Sequence, residues 1–345
     1  MSQVTPETLQ EYLRTHWLNR QAPTVRELRA MSAGWESDVY AFDLEHGPAE
    51  GRRVEPLVLR VYPGTVARRK AEREFRGMSQ LMRAGYPVPA VHLLECDASP
   101  FGQPFMVMER IDGGMLWAGG DPPSDVEIAR MVALFCGLQV RLHALDWRPF
   151  VPDPSAIEAG GPYALLDTEL RSQEVWIARI GGAGYGRVIE WLLARREGVP
   201  CRRPAVVHLD FHPMNILVRP DGSAVVIDWT NIHVSDARLD LAWTLMLTGS
   251  AMGMEWRDRI LEEYERQAGA PVDGIAYFEA LACMRRLLSV AVSVHLGPAE
   301  LGMRGDAVAA MRRQAPSIRA VYHLLRRRTD TVVPEVEDLL ATIEA

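Results

Sequence analysis

The stretch Val206-Val-His-Leu-Asp-Phe-His-Pro-Met-Asn-Ile-Leu-Val-Arg-Pro-Asp-Gly-Ser-Ala-Val-Val-Ile-Asp-Trp229 gathers His208, Asp210, Asn215 and Asp228 in one short run of chain. Three of these suit one chemistry. Phosphoryl transfer leaves the protein mainly to position reactants and neutralise charge, so it needs a carboxylate facing the acceptor hydroxyl and oxygen ligands hard enough for magnesium. Asp210, Asn215 and Asp228 are that minimum set. A rival reading takes His208, Asp210 and His212 as alternating ligands of a transition metal in a hydrolase or an iron oxygenase. It leaves Asn215 and Asp228 without a task, and such catalytic sites usually draw ligands from several segments. An ordinary polar loop between strands is the third possibility.

The elements around these residues must bring them together. Ile216 to Val218 and Ala224 to Ile227 are short apolar runs joined by Arg219-Pro-Asp-Gly-Ser223, whose Pro and Gly supply turn geometry. A hairpin there returns Asp228 towards Asn215. The spacing His208-x-Asp210-x-x-x-x-Asn215 is that of the protein-kinase catalytic loop, in which the Asp accepts the proton of the attacking hydroxyl and the Asn holds magnesium. The whole stretch resembles the aminoglycoside phosphotransferase and choline kinase-like family, which often carries H-G-D-x-H-P-x-N-I-L followed by I-D-W. Leu209 and Met214 stand where Gly is common in that pattern. Downstream, Asp236-Ala-Arg-Leu-Asp240-Leu-Ala-Trp243 resembles the family's G-D-P-x-x-D-L-A segment. The resemblance makes Asp210 the catalytic residue, Asn215 and Asp228 the metal ligands, and His208 and Asp240 structural supports.

Weaker echoes of the same family run through the first third. Leu57-Val-Leu-Arg-Val-Tyr62 reads as a strand with Arg60 on the face opposite Leu59 and Val61. Arg60 falls where the family has its phosphate-contacting basic residue, and the chain is poor in lysine throughout, Lys70 being its only one. Ala33-Gly-Trp-Glu-Ser-Asp-Val-Tyr40 takes the place of a phosphate-covering turn, with Ser37 as its nucleotide contact. A helix is expected over 66–84, with Ala71, Phe75, Met78, Leu81 and Met82 forming an apolar stripe that also contains Glu74. An inward carboxylate needs a partner, and Arg60 is the obvious one, although a neighbouring Arg of the same helix would also serve. Arg68, Arg69, Arg73, Arg76 and Arg83 read as a solvated face. Gln103 to Gly114 resembles the family hinge P-x-x-x-M-E-x-x-x-G, which implies adenine recognition by backbone atoms from Glu109 to Ile111. Leu142-His143 resembles a segment of the second lobe, and His143 is expected to be a packing residue. Trp117, Trp229, Asn231 and His233 are candidates for the acceptor pocket.

Composition constrains the rest. The 345 residues are 48% hydrophobic and 24% charged, which permits a sizeable core and two lobes. A net charge of −7 argues against nucleic acid, permits a cationic substrate, and also simply aids solubility. Cys96, Cys136, Cys201 and Cys283 are widely spaced, as for reduced thiols in a cytoplasmic protein. Glu7, Glu11 and Arg14 interrupt the start as no secretory signal would, and the apolar stretch 287–296 is too short to span a bilayer, so no membrane partner is expected. The run 151–162 reads as a loop rich in Pro and Gly.

The resemblance implies an α+β, two-lobed protein-kinase-like fold. A small β-rich N-lobe with one main helix, residues 1–113, would bind nucleotide, and a larger mainly helical C-lobe, residues 114–345, would carry the catalytic loop and the acceptor-binding helices. The implied activity is transfer of the γ-phosphoryl of ATP or GTP, with magnesium, to a hydroxyl of a small molecule. An antibiotic acceptor, aminoglycoside or macrolide, is favoured, and it would be accompanied by an acidic pocket. The alternatives are a metabolic kinase for choline, a sugar or an amino alcohol, and a nucleotide-binding pseudokinase.

Overall fold

Apolar residues recurring through the first hundred positions build one antiparallel sheet. The computed structural model describes residues 4–17, 19–31, 37–48, 50–97, 99–117 and 124–344. β1 (Thr24–Met31), β2 (Asp38–His46), β3 (Arg53–Val61), β4 (Val91–Glu95) and β5 (Phe105–Glu109) lie in the order β1-β2-β3-β5-β4. Arg60 pairs with Val39 on one side and Met106 on the other, which fixes it in the central strand. α1 (Pro6–His16) starts where the Thr5 hydroxyl accepts the Thr8 N–H and Pro6 sits in the first turn, where no amide donor is needed. Its Leu9, Tyr12 and Leu13, with Trp17, join Phe42, Leu44, Leu57 and Phe105 in one buried cluster. α2 (Ala67–Arg83) buries Ala71, Glu74, Met78 and Leu81 along one side.

The chain divides into two compact units. The first comprises residues 1–114, 217–230 and 298–306, and the second the remainder. Both returning segments are tied to the first unit by side chains of its own. Lys70, buried on α2, donates to the Gly302 carbonyl at 3.0 Å, and Arg304 lies 3.2 Å from Asp38. Arg73 donates from Nε to the Thr230 carbonyl at 3.1 Å, so it is not part of a solvated face as the sequence suggested.

In the second unit helices dominate. The chain enters it within β6 (Gly114–Met115) and continues into α3 (Asp125–Ala144), which opens on a reciprocal cap between Ser124 and Glu127. The run 151–162, expected to be a loop, contains the short α4 (Pro154–Ala159). Asp153 accepts the Ser155 N–H and Pro154 fills the first position, two local signals that outweigh the Pro and Gly content. α5 (Ala164–Ile180) and α6 (Tyr185–Arg195) follow, then β7 (Pro204–Val207) and the site loop. β8 (Ile216–Val218) and β9 (Ala224–Val226), which lie almost wholly in the segment 217–230 of the first unit, form the hairpin, closed by an Arg219 N–H bond to the Ser223 carbonyl. β10 (His233–Asp236) pairs antiparallel with β7 and runs into α7 (Ala237–Met252). α8 (Met254–Ala268), α9 (Ile275–His295), α10 (Ala307–Arg313), α11 (Ala315–Thr329) and α12 (Pro334–Glu344) complete the unit. Leu287, Leu288, Val290 and Ala291 of α9 are buried in its core, and no helix among the described residues is long and apolar enough to cross a membrane.

Candidate active site

In the first unit a helix carboxylate and a carboxylate at the end of the hairpin converge on the guanidinium of one strand residue. Arg60 donates from Nη1 to Glu74 Oε1 at 3.0 Å and from Nη2 to Asp228 Oδ1 at 2.7 Å. Tyr62, the residue just past the end of β3, donates its hydroxyl to Glu74 Oε2 at 2.8 Å, so both carboxylate oxygens are used. The Thr230 hydroxyl donates to Asp228 Oδ1 at 3.1 Å. Burial works against the Arg60 charge, but Glu74 and Asp228 outweigh it and hold the guanidinium firmly protonated. Arg60 Nε has no hydrogen-bond partner among the described residues. Asp228 adopts φ +64°, a left-handed conformation that Asp tolerates better than most residues.

The other nucleotide expectations meet less structure. Ser37 is buried at the edge of β2, whereas residues 33–36 of the expected turn lie outside the described residues. The Glu109 and Arg110 amides donate to the Ala90 and Pro56 carbonyls, which leaves Ile111 as the place to look for a donor to an adenine ring. The Glu109 carboxylate pairs with Arg219 at 2.7 Å. Trp229, suggested for the acceptor pocket, is fully buried in the first unit, its indole N–H donating to the Val226 carbonyl at 2.8 Å.

In the second unit the loop after β7 carries Asp210. Asn215 donates from Nδ2 to the Asp210 carbonyl at 3.0 Å, which turns its amide nitrogen inwards and leaves its oxygen as the available ligand atom. Trp243 donates its indole N–H to Asp210 Oδ1 at 3.4 Å, and His212 Nε2 lies 3.6 Å from Oδ2. His208 is buried, and its Nδ1 accepts the Asp210 N–H at 3.2 Å. No group of three His, Cys, Asp or Glu able to hold a metal occurs among the described residues, so the alternating His208, Asp210, His212 cluster is not assembled.

The loop is held from behind by Asp240. Its Oδ1 accepts the Leu209 N–H at 2.5 Å, and its Oδ2 accepts from His143 Nε2 at 2.8 Å. His143 in turn shares a hydrogen bond of 2.8 Å with the Tyr264 hydroxyl. Burial alone would raise the Asp240 carboxyl, but the hydrogen bond from His143 and that from the Leu209 N–H hold it below the ordinary carboxylate range. Leu209 adopts φ +56° with its side chain buried. A left-handed backbone is what Gly supplies freely, so the loop keeps the conformation that favours Gly while filling the space with an apolar side chain.

Sequence reasoning brought Arg60 and Glu74 together and assigned His143 to packing, but it missed Tyr62, Trp243 and Arg285 of α9. Each of the last two reads as a core or surface residue until long-range contacts are known. Arg285 pairs with Glu169 at 2.8 Å and lies 5.7 Å from the Trp243 ring centre.

The model of the phosphotransferase enzyme family matches residues 27–278, a span that takes in both Arg60 and Asp240. The described elements form an α+β, protein-kinase-like fold. The chain belongs to the phosphotransferase enzyme family. It is 30% identical over 202 residues to acyl-CoA dehydrogenase family member 10 of Mus musculus, covering 55% of this chain and 18% of that protein. Family member 11 of Gallus gallus is 26% identical over 178 residues, covering 50% and 22%. The chain thus spans about a fifth of the length of these curated relatives. Among solved structures, a Ralstonia eutropha protein provisionally described as an aminoglycoside phosphotransferase superposes with a TM-score of 0.64 at 17% identity, covering 99% of both chains. Aminoglycoside phosphotransferase APH(4)-Ia in ternary complex with AMP-PNP and hygromycin B gives 0.57 at 17%, covering 91% and 98%. LicA in complex with AMP gives 0.57 at 17%, covering 94% and 100%. At these identities the likeness is one of fold.

Proposed function

We propose that this protein transfers the γ-phosphoryl group of ATP or GTP to a hydroxyl of a small molecule, with Asp210 as the proton acceptor. The observation that carries the reading is the fixed loop: Asp210 is oriented by Asn215 and Trp243, and its backbone is anchored through Leu209 to the buried Asp240. A carboxylate so held can receive the hydroxyl proton as the acceptor oxygen attacks phosphorus. Arg60, steadied by Glu74, would contact phosphate oxygens, with Ser37 in the turn above them and backbone atoms of Glu109 to Ile111 reading the base. Asn215 and Asp228 are the residues that would hold magnesium. Both offer hard oxygen, and magnesium usually completes its shell with phosphate oxygens and water rather than with protein side chains alone. When bound, the ion would neutralise charge on the phosphates.

Two acceptor classes compete. APH(4)-Ia, one of the structural neighbours, is seen with hygromycin B, which supports an aminoglycoside or other antibiotic acceptor. A polycation, however, calls for carboxylates around the reacting hydroxyl, whereas Arg285 stacks near the Trp243 that contacts Asp210. That contact favours the metabolic alternative. Asp210→Ala tests the central reading: magnesium-dependent ADP formation should fall about 10²- to 10⁴-fold while nucleotide binding by calorimetry stays near wild type. Near wild-type turnover in that variant would refute the role of Asp210.

A further inference from the structure

Leu209, Asp210 and Phe211 are gripped one by one from a single face of α7. Asp240, Trp243 and Thr244 stand three and four residues apart and so share that face. Asp240 Oδ1 accepts the Leu209 N–H at 2.5 Å, the Trp243 indole N–H reaches Asp210 Oδ1 at 3.4 Å, and the Thr244 hydroxyl donates to the Phe211 carbonyl at 2.8 Å. Gln139 of α3 joins two of these holds, donating from Nε2 to Thr244 Oγ1 at 3.0 Å and to Asp240 Oδ2 at 3.4 Å. An amide N–H can only donate and a carbonyl can only accept, so the Thr244 proton is committed to Phe211. Gln139, Asp240 and Thr244 are all fully buried.

The Asp210 N–H meets His208 Nδ1 and the Asp210 carbonyl meets Asn215 Nδ2, so Thr244 completes a backbone held from the Leu209 N–H to the Phe211 carbonyl. Such a grip suits a segment that includes the left-handed Leu209, since a strained backbone persists only where its surroundings over-determine it. Gln139 Oε1, by contrast, has no hydrogen-bond partner among the described residues. A buried acceptor left open is unfavourable, and an apolar residue of that size would serve packing better, so what the position gains from Gln is the tie between Asp240 and Thr244.

We propose that Gln139 and Thr244 are positioning residues of the phosphoryl transfer: acting through the Phe211 carbonyl, they hold the backbone that follows Asp210 and so set where its carboxylate meets the acceptor hydroxyl. The inference rests on the phosphotransferase reading above. In that transfer the acceptor oxygen bonds to the γ-phosphorus, the bond from that phosphorus to the β,γ-bridging oxygen breaks, ADP leaves, and the hydroxyl proton passes to Asp210.

The test measures ADP release by the full chain with magnesium and ATP, with glycerol, choline, 3-hydroxybutyrate and kanamycin in separate arms and water as the sole acceptor in another, and follows the variants in the fastest arm. Thr244→Val keeps the shape and drops the hydroxyl; it should lower kcat about 10- to 10²-fold, the cost of a misplacement of about 1 Å, with KM for ATP unchanged. Thr244→Ser puts the donor back and should recover most of that loss. Gln139→Leu removes the open acceptor together with the tie, so it should lower kcat while the thermal unfolding midpoint stays near that of the wild type, and it carries the test if Thr244→Val does not fold. In an Asp210→Ala background neither change should cost anything more, because the effect of each passes through that carboxylate. Hydrogen–deuterium exchange gives a reading independent of turnover: peptides covering 208–212 should exchange faster in the impaired variants. Wild-type turnover in folded Thr244→Val or Gln139→Leu, Thr244→Ser as slow as Thr244→Val, unchanged exchange over 208–212, or a further loss on top of Asp210→Ala overturns the inference and leaves the phosphotransferase reading standing. Near wild-type turnover in Asp210→Ala, or no ADP in any arm, refutes that reading, and this one with it.

Discussion

Removing Glu74 asks whether the cluster around Arg60 behaves as one body. The Glu74 side chain is 1% exposed and that of Arg60 7%, so neither can turn to water when its partner is lost. Glu74→Ala takes the acceptors of Arg60 Nη1 and of the Tyr62 hydroxyl in a single step. Truncating one member of a buried ion pair costs about 3–5 kcal/mol, and a stranded hydroxyl adds about 1 kcal/mol or more, which places this variant near the upper end of that range. Glu74→Gln keeps one acceptor oxygen and should cost about half as much. Arg60→Ala leaves Glu74 and Asp228 without the cation they share and should cost about as much as Glu74→Ala. In the double variant the second change removes a partner already lost, so the losses should fall short of additivity by about 2–3 kcal/mol. Urea unfolding followed by tryptophan fluorescence and far-ultraviolet dichroism measures the cycle, provided the two transitions coincide. Additivity to within about 0.5 kcal/mol, or a Glu74→Ala cost below about 1 kcal/mol, would show that Arg60 and Glu74 are independent and would refute the argument.

Three further outcomes follow from the second unit. Burial would raise the Glu169 carboxyl, but Arg285 and His233 outweigh it and bring it from 4.5 to about 2. A depressed carboxyl contributes stability that is present above its unfolded pKa and lost as pH falls through the folded one. At about 1.4 kcal/mol per pH unit, this is about 3 kcal/mol. The stability gap between wild type and Glu169→Gln should therefore be of that size near neutrality and close between pH 4.5 and 2; a gap independent of pH contradicts it. At Leu209, Gly should be as stable as Ala or more so, by about 0.5–1 kcal/mol, because relief of the left-handed strain outweighs the usual cost of Gly; chemical unfolding showing Gly the weaker by about 1 kcal/mol would mean φ +56° carries no strain. Asp240→Ala should cost about 3–5 kcal/mol and lower kcat by loosening the Asp210 loop, and an unchanged kcat in folded protein would separate Asp240 from the loop's positioning.

Much of the Asp210 loop was legible because its chemistry lies in consecutive residues. His208 to Asn215 needs only a short loop and a hairpin to take shape, and turn chemistry at Arg219 to Ser223 announced the hairpin. Glu74 was legible for a different reason: a carboxylate inside an apolar stripe must be paired, and a strand arginine stood ready. Tyr62 was not, since a tyrosine at a strand end reads as core whether or not its hydroxyl has work. The Asp240 partners were half legible; the segment pattern suggested a support, yet nothing local connects His143 to it across about a hundred residues. Arg285 was invisible because α9 is buried on most sides, which flattens the periodicity that would have set an inward arginine apart from a surface one. Residues 298–306 also escaped, because a short polar excursion that joins a distant unit has no signature of its own.

The chain's single lysine has a consequence for chemical biology. Lys70 spends its ammonium on the Gly302 carbonyl in a buried setting, and the strand position where a reactive lysine might be sought holds Arg60. An acylating nucleotide probe that captures enzymes through a lysine would find a guanidinium at that strand position, which does not acylate, and surveys built on such probes would pass this protein by. Lysine-directed cross-linkers would likewise find one shielded amine side chain. Proteolysis with trypsin would in turn read out a map set almost wholly by arginine.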